Sequence, residues 1–140
     1  MTTLERCLES GRLKRCSPDK RIVRKELDAA TDDLERAKRT FIEEDAKWSS
    51  IQAYYSMFHS ARALVVAAGY REKGHRCLIA AMRTLYVSEG ILERSIVDDL
   101  ELCMEVREEA DYAMIEDLDS AGACIESAER LLDAAMRILS

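Results

Sequence analysis

Residues 47–64, KWSSIQAYYSMFHSARAL, are the stretch whose reading decides the fold. Trp48, Ile51, Tyr55, Phe58, Ala61 and Val65 recur at helical spacing, and Tyr54, Met57, Leu64 and Ala68 widen their apolar face. A helix that is apolar over most of its circumference must be covered on several sides. The pattern therefore predicts a central, deeply buried helix from about Asp45 to Ala68, stopped by Gly69.

Upstream, Val23, Leu27, Ala30, Leu34, Ala37 and Phe41 alternate by four and three, which predicts a helix from about Pro18 or Asp19 to Glu44 packed nearly antiparallel to a neighbour. Before it, Thr2 or Thr3 caps a short helix ending at Gly11, and a loop with Arg12, Lys14 and Arg15 follows. Downstream, helices are expected from His75 to about Ser88, from Ser95 to about Ile115, and from Asp119 or Ser120 onward. The last carries Ala121, Cys124, Ile125, Ala128, Leu131, Leu132, Ala135 and Ile138 in register. No strand pattern is evident. The expected architecture is all-α, an up-and-down bundle of four main helices with short additions. It forms one domain, with a short helix and basic loop in residues 1–18 and the bundle in 19–140.

Composition agrees. The 140 residues include one proline and five glycines, so helix breakers are scarce, and 48% are apolar. No apolar run is long enough to span a bilayer, and the opening Met1-Thr-Thr-Leu-Glu-Arg lacks a signal-peptide core, so the cytoplasm is the expected location. The net charge of −6 is uneven. Residues 1–40 hold 11 Lys and Arg against 8 Asp and Glu, and 41–88 hold 6 against 4, but 89–140 hold 4 against 15. A polyanion should approach the first part and avoid the last. The five cysteines form no CxxC pair, and reduced thiols acting as small core residues are expected.

Three constellations could carry chemistry. Tyr55, His59 and Arg62 share one face of the central helix and could bind a base or move a proton; alternatively His59 bonds a neighbour and Arg62 pairs with a carboxylate of the acidic fifth helix. Next, Gly69-Tyr-Arg-Glu-Lys-Gly-His-Arg76 reads as a basic loop leading into a helix start, so Arg71, Lys73, His75 and Arg76 form a candidate nucleotide or anion site, with Tyr70 able to stack a base. Tyr55 and Arg62 are further candidates for that binding. The third is Arg107-Glu-Glu-Ala-Asp-Tyr112, in which Arg107 and Asp111 are spaced to pair on the helix surface. Ser-His-Asp and HExxH spacings, a Walker loop and GxGxxG are all missing, so no metal or cofactor is expected.

The segments KWSSIQAYYSMFHSARAL, GYREKGHRCL and REEADY, taken together, resemble HEPN domains (higher eukaryote and prokaryote nucleotide-binding), most closely the small stand-alone archaeal and bacterial proteins. The resemblance covers nearly the whole chain. It implies a helical bundle that forms a homodimer and is often partnered by a minimal nucleotidyltransferase. Many HEPN domains resemble metal-independent ribonucleases built on an Arg, four to six residues, then His. Here Arg107 fills the arginine position, but Tyr112 stands where the histidine is expected. The expected function is thus a non-catalytic nucleotide- or RNA-binding and interaction module, the HEPN partner of a minimal nucleotidyltransferase in a toxin–antitoxin-like pair, with Tyr112 a candidate for AMP modification. The alternative is a metal-independent ribonuclease toxin in which Arg107 works with a non-standard base, His59 or His75 of the other subunit, or Tyr112.

Overall fold

The computed structural model describes residues 1–112 and 117–140, the side chains of 109–112 excepted. The chain is all-α apart from one small ribbon. A short helix α1 (Thr3–Glu9) leads into strand β1 (Leu13–Arg15), then α2 (Lys20–Ile42) and α3 (Ala46–Ala67). Strand β2 (Tyr70–Glu72), α4 (His75–Met82) with a π-helical turn at Arg83–Val87, α5 (Arg94–Tyr112) and α6 (Leu118–Leu139) follow. Asp19, Asp45 and Asp117 cap α2, α3 and α6 by accepting from backbone N–H groups of the first turn.

The central helix α3 packs against α2, α5 and α6, as its breadth of apolar surface requires. Its Ala53, Ala61, Ala63, Leu64 and Val65 are fully buried. The contact with α2 is made by small residues. Ala30 and Ala37 of α2 and Ser56 and Ala53 of α3 are all inaccessible, and Ser56 Oγ donates to the Ala30 carbonyl at 2.8 Å. The two helices approach closely because nothing bulky intervenes.

That contact corrects one expectation. Trp48, expected on the buried face, is 49% exposed and lies beside Lys47, while Tyr54 rather than Tyr55 is fully buried. The sequence stripe follows the large residues, whereas Ser49, Ala53, Ser56 and Ser60 form an inaccessible stripe of small residues on the same helix.

Two other expectations are corrected. Residues 70–72 are not loop but pair antiparallel with 13–15, Leu13 opposite Glu72 and Arg15 opposite Tyr70. The ribbon is closed at its two ends by Lys73 N–H to the Arg12 carbonyl at 2.8 Å and Cys16 N–H to the Gly69 carbonyl at 2.9 Å. Three-residue strands are too short to show an alternating pattern, and only the return of the chain past the end of α3 pairs them. Gly69 ends α3 at φ 91°, and a Cβ there would lie 3.3 Å from the Cys16 carbonyl oxygen. Cysteine chemistry differs too: Cys7 and Cys77 form a disulfide, 70 residues apart, tying α1 to the first turn of α4. Cys16, Cys103 and Cys124 are free thiols, the last two buried as expected. No helix among the described residues is long and apolar enough to cross a membrane.

The small-residue seam yields a test. Ala30→Leu should lower stability by about 1–3 kcal/mol or more, since the core has no space for three added carbons; urea unfolding measures it. A neutral result would mean that α2 and α3 are not in such close contact.

Candidate functional site

The site is built where α3, the start of α4 and the middle of α5 meet. Consecutive tyrosines on α3 point to different neighbours. Tyr54 is buried and its hydroxyl hydrogen-bonds His75 Nδ1, while Tyr55 is half-buried and accepts a hydrogen bond from an Arg107 guanidinium nitrogen at 3.1 Å. The guanidinium carbon of Arg107 lies 5.7 Å from the Tyr54 ring centre and 5.5 Å from that of Tyr55, so the cation sits against two π faces. His75 stacks on Tyr54 at 5.5 Å and on Phe58 at 4.8 Å.

This packing sets the protonation states. Burial, and then the positive charge of Arg107, lower the His75 pKa below its ordinary 6.5, so the ring is neutral at pH 7. Burial raises the Tyr54 pKa well above its ordinary 10.0, so the phenol keeps its proton. A protonated phenol beside a neutral imidazole is best satisfied by donating to Nδ1. That assigns the ring proton to Nε2 and makes His75 a hydrogen-bond donor to whatever lies beyond it.

Around His75 and Arg107 opens a cavity of about 480 Å³, lined also by Arg12, Lys73, Arg76 and Glu108. Among the described residues the lining holds four fixed cations, one imidazole and one carboxylate, a charge pattern that can receive an anion, and His75 and Arg76 are the first two residues of α4, whose N-terminal N–H groups lie at the same place. The arrangement can hold phosphate oxygens without a metal. Among the described residues no group of three or more His, Cys, Asp or Glu side chains could hold a metal ion.

The expected site residues are thus divided. Lys73, His75, Arg76 and Arg107 come together in one protomer, with Tyr55 against Arg107. Arg71 is exposed on β2 and does not line the cavity. His59 and Arg62 do not join Tyr55. His59 Nδ1 lies 2.6 Å from Glu26, with Asp33 at 3.6 Å from Nε2, and Arg62 Nε lies 2.8 Å from Glu72. The carboxylates that hold them belong to α2 and β2, not to the acidic α5. Burial alone would raise the Glu26 pKa, but the His59 hydrogen bond and the Arg62 charge outweigh it and hold the group below its ordinary value. This cluster fastens α3 to α2 and the ribbon. The Arg107–Asp111 pairing and the side chain of Tyr112 lie outside the described residues.

Two members were not singled out from sequence. Tyr54 was read as core filling next to Tyr55, and nothing local says which of two adjacent tyrosines carries a polar partner. Arg12 belongs to the basic N-terminal loop, and only the β1–β2 pairing brings it to the cavity.

Compared with known proteins, residues 23–139 match the HEPN domain family. The chain is also similar to a protein of Methanocaldococcus jannaschii named "Putative toxin MJ0605", at 28% identity over 122 residues that cover 84% of this chain and 91% of that one.

The His75 environment has a pH signature. Its folded pKa is lowered, so its stabilising contribution is complete above pH 6.5 and is lost as the pH falls from there through the depressed value. In an NMR titration the ring should change protonation below pH 6.5, and Arg107→Ala should move the midpoint upward by removing a cation and some burial. A midpoint that Arg107→Ala leaves in place would contradict the assigned contact.

Proposed function

The chain belongs to the HEPN family, and on that premise we propose that it is a non-catalytic module that binds nucleotide or RNA phosphate and pairs with a minimal nucleotidyltransferase in a toxin–antitoxin-like system. The observation that carries this reading is the cavity in which Arg12, Lys73, Arg76 and Arg107 surround His75, in a protein whose net charge is −6. Cations gathered against the overall charge of a molecule indicate an anionic ligand. Arginines offer paired N–H donors to phosphate oxygens, and the His75 Nε2–H adds one more. The toxin name of the Methanocaldococcus jannaschii relative supports the paired-system part of the reading.

Binding without cleavage follows from the protonation pattern. Removing the proton of an RNA 2′-hydroxyl needs an acceptor, and the Tyr54 hydroxyl leaves His75 with a donor on the open side. Tyr112, in the place of the family's histidine, is a poor base at neutral pH, since a tyrosine ordinarily titrates near ~10. In this reading Tyr112 is instead the residue that accepts AMP from the partner enzyme, and the protein works as a cytoplasmic homodimer.

A second reading, a metal-independent ribonuclease, is favoured by one specific observation: Arg107 and His75 line the same cavity of one protomer, so no base need come from the other subunit. It requires His75 to exchange its tautomer during the reaction.

One set of experiments separates them. The purified protein should retard a short single-stranded RNA in EDTA without cutting it. Binding should weaken with salt, and Arg76→Ala should reduce the slope of log K on log salt by about 1, as loss of one phosphate contact does. Cutting in EDTA that disappears in both Arg107→Ala and His75→Ala establishes the second reading instead. Sedimentation at micromolar concentration reads the dimer, and intact mass after incubation with the partner enzyme and ATP reads AMP on Tyr112.

A further inference from the structure

We propose that the Cys7–Cys77 pair is a reversible thiol modification site that regulates anion binding in the adjacent cavity, an inference that rests on the reading of that cavity as a phosphate site. Cys77 is the third residue of α4, directly after His75 and Arg76, and it lines the cavity itself. Its partner Cys7 is the only buried residue of α1. Cys7 and Cys77 are both buried, and the cavity is where Cys77 meets the surface.

The segment held by this bond belongs to the site. Residues 1–16 form an arm fastened to the bundle at two places, by the disulfide through α1 and by β1 on β2. Arg12, a cation of the cavity, lies between those fastenings. Helix α1 has seven residues, too few to be stable without an external attachment. Apart from the bond, α1 relies on its capping box of Thr2 and Glu5 and on the partly buried Leu4 and Leu8. Opening the bond leaves the α1 side of Arg12 held by those contacts alone, while the Arg12 carbonyl stays on the Lys73 N–H.

The chemistry balances with a dithiol as co-reactant. One thiolate of the dithiol attacks Cys77 Sγ from the cavity, forming a mixed disulfide there and releasing Cys7 as its thiolate, which takes up a proton. The second thiolate of the dithiol attacks its own sulfur in the mixed disulfide and releases Cys77. Two electrons pass to the protein, the dithiol ends as a disulfide, and the two cysteines carry the two protons that the dithiol gave up. Released Cys77 is the third residue of α4, directly after His75 and Arg76 on the cavity wall. Reduction therefore weakens anion binding by loosening the arm that carries Arg12 to the cavity.

The test compares the affinity of the full chain for inorganic pyrophosphate before and after treatment with a dithiol, with thiol alkylation and circular dichroism on the same samples. The oxidised protein should bind about tenfold more tightly, a factor within the usual range for coupled sites. Cys7 and Cys77 should alkylate only after reduction, while the helical signal stays. By reciprocity, saturating pyrophosphate should make the bond harder to reduce by the same factor. Cys7→Ser should bind like the reduced protein and ignore the dithiol; if that variant does not fold, reduction of the unaltered chain still decides. Equal affinity in both states overturns the switch and leaves the phosphate site standing. So does alkylation of both cysteines before reduction, a bond that the dithiol cannot open in the native protein, or loss of helical signal on reduction. If the oxidised protein binds no pyrophosphate at all, the phosphate reading fails and the switch fails with it.

Discussion

The structure depends on the burial of α3, a helix covered on almost every side that nevertheless carries polar groups on several of them. Its apolar residues draw in α2, α5 and α6 as cover. Its polar groups then dictate what the cover must supply, because a buried donor or acceptor without a partner costs about 1–3 kcal/mol. Ser49 and Ser50 answer this within the helix by donating to carbonyls one turn back. The larger groups cannot, and each recruits a residue from a different element: Tyr54 takes His75, Tyr55 takes Arg107, His59 takes Glu26 and Arg62 takes Glu72.

Those four pairings fall into two groups with different consequences. Around His59 and Arg62, carboxylates from α2 and β2 lie at close range and Glu72 pairs the Arg62 charge, so that side serves as a fastening. Around Tyr54 and Tyr55 the partners are a neutral imidazole and a guanidinium resting on aromatic faces. Lys73, Arg76 and Arg12 gather with that guanidinium around the same cavity, beside Glu108. The same demand of α3 for partners produces a structural lock on one flank and a basic cavity on the other.

How far this could be read in the sequence depends on the range of each interaction. The helices were legible because their periodicity is local: Ala30, Leu34 and Ala37 of α2 and Ala121 to Ala135 of α6 are buried as their spacing predicts. The gathering of Lys73, His75 and Arg76 at one place was also legible, since a basic run at a helix start is a local pattern. What was not legible depends on chain segments that meet only after folding. The Cys7–Cys77 bond joins positions 70 residues apart, and the β1–β2 ribbon pairs strands of three residues each. Arg12 reaches the cavity, and Arg71 misses it, for that same reason. Trp48 was misplaced because periodicity tracks large side chains, whereas the α2–α3 seam is set by small ones.

The most direct measurement of the central claim, that the α3-anchored cavity at the start of α4 is a phosphate site, is the mapping of backbone amide shifts in a pyrophosphate titration of the oxidised protein. The account predicts the largest shifts at Lys73 to Cys77 and at Arg12, with Ile42 to Trp48 at the opposite turn unmoved. Saturable shifts centred elsewhere, or none at residues 73–77, would contradict it.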